Sequence, residues 1–517
     1  MYSLAAAAAR RAARATVAPA VLARRAGEWW SPPSPRPLPA AGTRALAAWS
    51  SRAPGGWAET PGAAPDASAT TAAHVAAATA AATADGHAGA AVAGAAGDGA
   101  GNSLATANGT SDSVGDVGDG SGGPWFRYEL VHQSTRSAAR AGIIHTPHGP
   151  IETPAFVAVA TNGALKAVDL AGLDDLLPLV FCNTYHLMVH PGPEVIAAAG
   201  GLHAFTGRTR PLITDSGGFQ VFSLAHGTVH DELNRKGVKP PPPAGKGGKA
   251  AAAATADLSR TRRPLLQRVT EEGAVFRSYR DGSLLTLTPE SSVAAQKAYG
   301  ADIIVPLDEL PPYYIDADTL HRSVLLSHRW EARSLAAHLA NVRHQAMYCV
   351  LHGGIDRPLR TLSAEYLTSL PFDGWGIGGS LGKNREELLD LLRFLVPLLP
   401  ADRPNHLLGI ADVESIASAV PLGVDTFDSC FPTRLGRHGT LLTQQGRVDV
   451  RSGRWRGHHE PLEEPWGVPT ARPTMAYLHH LLKAHEPVAA TLMTLHNLYF
   501  MTNYMKDLRR RILDDEI

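Results

Sequence analysis

Gly423-Val424-Asp425-Thr426-Phe427-Asp428-Ser429-Cys430-Phe431-Pro432-Thr433-Arg434 reads as a short apolar strand that delivers a carboxylate, Asp428, to its own end. A basic turn follows at once, with Arg434 and Arg437 close behind. Alone, an aspartate at a strand end is more often a helix cap or a surface charge than a catalytic group. The stretch decides the fold because it is the last of a series. Ile151 to Thr161 has strand or hairpin texture. Leu179-Val180-Phe181-Cys182 runs into Asn183-Thr184-Tyr185-His186, and Pro211-Leu212-Ile213 into Thr214-Asp215-Ser216-Gly217-Gly218-Phe219-Gln220. Ile303 to Leu307 leads into Asp308-Glu309, Tyr348 to Leu351 into His352-Gly353-Gly354, Trp375 to Ile377 into Gly378-Gly379-Ser380, and His406 to Leu408 into Gly409 to Asp412.

Helical signals separate these runs. Thr288-Pro289-Glu290 sets a cap before a first-turn proline, with Gly300 as the stop. Asn384 with Glu387 forms a capping pair ahead of Leu388, Leu389, Leu391, Leu392 and Leu395. Repeated strand-then-helix units favour a parallel sheet, and this many of them favour an α/β closed (β/α)₈ TIM barrel. In such a barrel the C-terminal strand ends share one mouth. Asp215, Asp308, His352, Gly379 and Asp428 all fall just after apolar runs, so topology alone brings them to that mouth, although each singly also reads as a turn or cap residue.

Outward from this series the chain is less regular. Its 517 residues carry 48 basic and 48 acidic side chains, so no global charge announces a polyanionic partner and any such contact must be local. Cys182, Cys349 and Cys430 form neither a C-x-x-C pair nor a disulfide framework, which fits a reducing compartment. Residues 1–50 open arginine-rich, alanine-rich and free of acids before Glu28, the composition of an organellar transit peptide, with a plain disordered tail as the alternative. The arginines break every apolar run short of a bilayer span, so no membrane insertion is expected. Residues 51–123 are an Ala/Gly-rich linker that buries too little to fold. The folded domain is expected over 124–517, with a basic low-complexity insertion at 235–267 and a C-terminal subdomain at 440–517. The insertion reads as a solvated loop before an RNA contact.

Taken together the motifs resemble the tRNA-guanine transglycosylase family, the queuine tRNA-ribosyltransferases. The resemblance rests on His148-Gly149-Pro150-Ile151-Glu152-Thr153-Pro154, Asn183-Thr184-Tyr185-His186-Leu187 and Thr214 to Leu224. It rests too on Phe276-Arg277-Ser278 with Asp281-Gly282-Ser283, on Leu307-Asp308-Glu309, and on Asp425 to Asp428 with Pro432-Thr433-Arg434. It runs from about Phe126 to the C-terminus and implies a modified (β/α)₈ barrel. The implied activity exchanges guanine at the wobble position of G-U-N anticodon tRNAs (the Asp, Asn, His and Tyr acceptors) for queuine or a deazaguanine precursor. Asp428 is then implied as nucleophile on ribose C1′ and Asp215 as general acid/base. Asp308, His352, Gly379, Ser216, Gly217 and Phe219 are implied at the base, and Thr433, Arg434 and Arg437 at the tRNA.

The chemistry suits those residue types. An oxocarbenium-like state is stabilised and captured by one carboxylate, while a second shuttles the proton of the departing and incoming bases. A third carboxylate accepts from guanine N1–H and N2–H₂, and flipped anticodon nucleotides suit arginine contacts. Three departures stand out. The family's zinc cysteines fall at Pro465, Gly467 and Thr470, leaving His496 as the only retained ligand, so no metal and no cofactor are expected. The subdomain is then expected to be held by Trp466 and a face of Tyr477, Leu478, Leu481 and Leu482. A family glutamine is His352 here. Gly382 falls where bacterial members carry valine, which favours queuine by size, while Asn384 replaces a glutamate. A non-catalytic tRNA-binding partner subunit of a heterodimer and a glycoside hydrolase are the competing readings. A homodimer or heterodimer, and a mitochondrial, plastid or cytoplasmic location, stay open.

Overall fold

Eight of the short apolar runs close into one parallel cylinder. The computed structural model describes residues 125–219, 266–311, 313–468 and 473–517. The expectations for 1–50 and 51–123, for Gln220 to Leu224, for nearly all of 235–267 and for Thr470 lie outside the described residues.

The described chain opens with an antiparallel sheet of β1 (Arg127–Gln133), β2 (Arg140–Thr146) and β3 (Gly149–Thr153). The barrel begins with β4 (Ala155–Val159), β5 (Val180–Cys182) and β6 (Leu212–Thr214). A second antiparallel sheet, β7 (Leu266–Val269), β8 (Ala274–Arg277) and β9 (Leu284–Leu287), intervenes. The barrel resumes with β10 (Ile303–Ile304), β11 (Ala346–Leu351), β12 (Gly374–Ile377), β13 (Asn405–Leu407) and β14 (Thr426–Ser429). β14 pairs in parallel with β4, Asp428 opposite Val157, and closes the ring. A hairpin of β15 (Thr440–Thr443) and β16 (Gly446–Asp449) follows.

The helices in chain order are α1 (Thr184–Val189), α2 (Pro193–Ala198), α3 (Leu202–Thr206), α4 (Pro289–Tyr299), α5 (Ala317–Leu339) and α6 (Arg357–Thr368). After them come α7 (Arg385–Leu395), α8 (Val413–Ala419), α9 (Phe431–Arg437), α10 (Met475–Lys483) and α11 (Pro487–Leu513). The expected caps are present. Thr288 and Ser291 bond reciprocally at the start of α4, and Gly300 ends it in the left-handed region. Asn384 accepts from Glu387 N at 2.9 Å. Among the described residues no helix is long and apolar enough to cross a membrane.

Period-two alternation sorts the strand side chains into two cores. Val157, Phe181, Ile213, Ile303, Tyr348 and Val350 cluster inside the barrel with Phe126, Ile144 and Ile151 of the opening segment. Phe156, Cys182, Met347, Cys349, Trp375, Ile377 and Phe427 face the helical layer, where Leu388, Leu391, Leu392 and Leu395 of α7 meet them. By the same parity Thr426 and Asp428 lie on the inner side of β14.

The N-terminal end of the barrel is tied by a buried ion pair. Arg140 Nε and Nη2 reach Asp425 Oδ1 and Oδ2 at 2.9 and 2.6 Å, and the same carboxylate accepts from Asn405 N at 2.8 Å and Tyr128 OH at 3.2 Å. Two further guanidinium N–H groups go to Ala401 O and Arg403 O. The carboxylate accepts four hydrogen bonds and the guanidinium donates four, the dense pairing under which such a pair is tolerated in an interior.

The C-terminal subdomain is pinned by α11, which packs along α9. Gly436 permits the approach, since a Cβ there would lie 2.8 Å from the Met493 carbonyl carbon. Asn497, fully buried, donates to Pro432 O and Thr440 O and accepts from Leu442 N. Trp466 packs on Phe500 and Tyr504, and Leu478 and Leu481 are buried, as expected. Tyr477 differs: it is 50% exposed, because α10 turns its face of Met475, Leu478 and Leu482 inward and leaves position 477 outside. The basic turn after Asp428 also differs, being the helix α9 with both arginines in its last turn.

Truncating one partner of a buried pair strands the other charge. Asp425→Ala is expected to lower the unfolding free energy by about 3–5 kcal/mol, measured by chemical denaturation; a loss under about 1 kcal/mol, the range of an exposed pair, would contradict this role.

Candidate active site

Asp215 follows β6 directly, and its carboxylate is a gathering point for donors. Asn183 Nδ2 reaches Oδ2 at 2.7 Å, while Thr184 N and Gly217 N reach Oδ1 at 2.7 and 3.2 Å. Ser216 donates to Asp308 Oδ1 at 3.4 Å and accepts from Gly218 N. Asp215 and Asp308, far apart in sequence, are therefore held by adjoining residues of one surface. Both are buried, at 8% and 5% exposure. Phe219, by contrast, is 39% exposed.

One helix braces both loops. Gln296 of α4 accepts from Thr214 Oγ1 at 2.9 Å and Val305 N at 3.0 Å and donates to Val305 O at 2.9 Å, while Ser292 donates to Ser216 O at 2.7 Å. Arg360 of α6 does the same for the next pair. It donates to Leu351 O, Gly354 O and Ser380 O. Burial pulls its guanidinium down to about 9, which leaves it charged at neutral pH.

His352 lies beneath Asp308. Its Nε2 is 3.2 Å from Asp308 Oδ2 and 3.7 Å from Glu331 Oε1, near both but aligned for a hydrogen bond with neither. Gly379 adjoins the ring, since a Cβ there would lie 3.2 Å from His352 Nδ1. Full burial pushes the Glu331 carboxyl well up from its ordinary value, and Asp308 adds to the push, while its Oε2 accepts from Val350 N at 2.9 Å. Ser363 Oγ accepts from His352 N at 3.0 Å and meets His328 Nε2 at 3.1 Å. That oxygen keeps its proton and a second lone pair, so it can serve either tautomer of a neutral His328.

Asp428 sits on the opposite run of the ring, on β14. Its Oδ1 accepts from Gly409 N at 2.8 Å and lies 3.0 Å from His406 Nε2. His406 was not singled out from the sequence. The available signal was parity: it is two residues from Leu408 on the inner side of β13, a polar side chain on a face whose core is largely apolar. Its partner, however, is set by cross-strand register, His406 opposite Thr426.

On α9, Thr433 is buried with its hydroxyl on Cys430 O, and an Arg434 N–H donates to Cys430 Sγ at 2.9 Å. Burial, with Arg434 adding to it, holds Arg437 below its usual range. Gly382 adopts φ +104°, and a Cβ there would lie 2.7 Å from Glu387 Cβ. The loop demands glycine for its own conformation, so size alone does not read out the base. Glu387 latches this loop by accepting from Lys383 N at 2.9 Å and Tyr313 OH at 2.7 Å. His496 Nε2 lies 2.9 Å from Leu442 O, with Gly467 against its ring.

The sequence model of the queuine tRNA-ribosyltransferases matches residues 134–240 and 255–517. The chain belongs to the queuine tRNA-ribosyltransferase family. The protein of that name from Protochlamydia amoebophila (strain UWE25) is 52% identical over 395 residues, covering 76% of this chain and 97% of its own. Those of Chlamydia muridarum and Chlamydia caviae are 46% and 47% identical over 395 residues, covering 76% of this chain and all of theirs. Membership of the family makes the chain a pentosyltransferase.

Burial holds His328 down at about 4, against 6.5 when exposed, so it contributes stability above pH 6.5 that is lost as pH falls toward 4. The unfolding free energy of His328→Gln is expected to depend less steeply on pH across that window, by up to about 1.4 kcal/mol per pH unit. An unchanged slope in denaturation curves would show His328 charged in the folded protein.

Proposed function

We propose that the chain is a tRNA-guanine transglycosylase of queuosine synthesis, exchanging guanine at the wobble position of G-U-N anticodon tRNAs for queuine or a deazaguanine precursor. Asp428 attacks ribose C1′ and forms a ribosyl-aspartate. Asp215 protonates the departing guanine and later takes a proton from the incoming base. Asp308 accepts from the N1–H and N2–H₂ edge, with His352, Gly379, Ser216 and Gly217 shaping the same pocket and Phe219 beside its rim. Arg434 and Arg437, with Thr433 ordering their helix, meet the anticodon loop.

The observation that carries this reading is the division of environments among three carboxylates on one barrel end. Asp215 accepts from Asn183, Thr184 N and Gly217 N beside Ser216, Asp308 faces a histidine, and among the described residues the donors to Asp428 meet at one oxygen. Two displacements at C1′ by a carboxylate and then a base retain configuration. The C-terminal subdomain works without zinc in this proposal. Pro465 and Gly467 offer no side-chain donor, and His496 faces a carbonyl oxygen.

The test incubates the protein with tRNA-Tyr transcript and labelled guanine or queuine. Wild type is expected to incorporate label, Asp428→Asn to incorporate none, and Asp215→Asn to slow by about 10²–10⁴-fold. Tight tRNA binding by wild type without exchange would instead mark a partner subunit. Elemental analysis of the same preparation is expected to find no stoichiometric zinc; one zinc per chain would refute that part.

A further inference from the structure

Asp428 is gripped on one side only. Both of its donors, Gly409 N at 2.8 Å and His406 Nε2 at 3.0 Å, converge on Oδ1, and among the described residues no donor reaches Oδ2. The His406 ring is fixed in turn. It is 1% exposed, its Nδ1 meets Thr426 Oγ1 at 2.8 Å, and it stacks on Phe181 with ring centroids 6.1 Å apart. An ionised carboxylate only accepts, so Nε2 carries a proton. Thr426 then donates to Nδ1 of a neutral ring, or to Asn405 O at 3.1 Å beside a doubly protonated one. Either way the same N–H points at Asp428.

This arrangement has a directional effect on covalent chemistry, and the argument rests on the reading of Asp428 as nucleophile. In the first displacement a lone pair of Oδ2 forms the bond to C1′, the C1′–N9 bond breaks, and its electron pair leaves with guanine, which takes a proton from Asp215. In the second, the incoming base loses its N9 proton to Asp215, N9 bonds to C1′, and the C1′–O pair returns to Asp428. The carboxylate is charged before and after the intermediate and neutral within it. A hydrogen bond to an ionised group is stronger than one to a neutral ester oxygen. We propose that His406 is a positioning residue that keeps the ribosyl-aspartate from becoming a sink: by favouring the carboxylate over the ester, it makes Asp428 a good leaving group and the exchange reversible. It also leaves Oδ2 as the attacking atom.

The proposal predicts an uncommon phenotype, because removing the donor should raise the amount of intermediate while lowering turnover. Full-length wild type, His406→Phe, His406→Leu and His406→Gln are equilibrated with tRNA-Tyr transcript and a fixed concentration of guanine, then resolved on a denaturing gel that retains the protein–tRNA adduct. His406→Phe and His406→Leu, which lack the donor and differ in size, are expected to shift the adduct-to-free ratio upward by about 10- to 100-fold. Their kcat is expected to fall with little change in the KM for base. His406→Gln, which keeps an N–H at similar reach, is expected to return both readouts close to wild type. Adduct equal to or below wild type in both donor-less variants, with thermal melts confirming that they fold, overturns the proposal. So does a failure of glutamine to rescue. Asp428→Asn separates the two layers. If it still forms adduct, the nucleophile reading itself fails; if it forms none while the donor-less variants do not accumulate adduct, only the role of His406 falls.

Discussion

The pairing of β14 with β4 is the constraint on which the rest depends. It joins the last barrel strand to the first, and it converts a list of strand ends into one rim. Strand β14 is fastened at both ends. Just below it Asp425 is locked by Arg140 into the N-terminal end of the barrel, and three residues on Asp428 reaches the opposite mouth. A strand anchored by a buried, multiply bonded ion pair resists slipping by one residue, and a one-residue slip would turn Asp428 to the outer face. Stability at one end of the barrel and chemistry at the other thus share four residues of chain.

The mouth is built from buried polar groups whose partners come from helices behind the rim. Gln296 and Ser292 on α4 hold the loops of Asp215 and Asp308; Ser363 and Arg360 on α6 hold His352 and the Gly379 loop. Such support fixes the loops that carry the carboxylates, from groups that do not themselves touch the carboxylate oxygens. Preorganised polar groups in a water-poor site act more strongly than the same groups in solvent. Burial favours the protonated form of Glu331 below His352, and Asp308 adds to this because a second ionised carboxylate beside it would oppose it.

Much of this was legible in the sequence. The order of strands followed from apolar runs ending in polar loops, the α4 boundaries from Thr288, Pro289 and Gly300, and the site candidates from their positions at strand ends. What escaped depends on distance through space. His406 looks like any strand residue until the register with Thr426 sets it beside Asp428. Glu331 looks like a helical surface acid until α5 packs it under Val350. Tyr477 was expected in the packed face because the local pattern does not say which way α10 is turned. Gly382 suggested space for a larger base, whereas its φ and the proximity of Glu387 already require glycine. Local pattern gives the elements; cross-strand register and helix rotation give the chemistry.

The central claim is that one barrel mouth holds a guanine-like base with its glycosidic nitrogen toward Asp428. A crystal structure of the protein soaked with 9-deazaguanine, which keeps the recognition edge of guanine, tests it most directly. The account predicts the base edge on Asp308, its carbonyl toward His352 and Gly379, and position 9 facing Asp428 Oδ2. A base bound elsewhere, or bound here with position 9 turned away from Asp428, would contradict it.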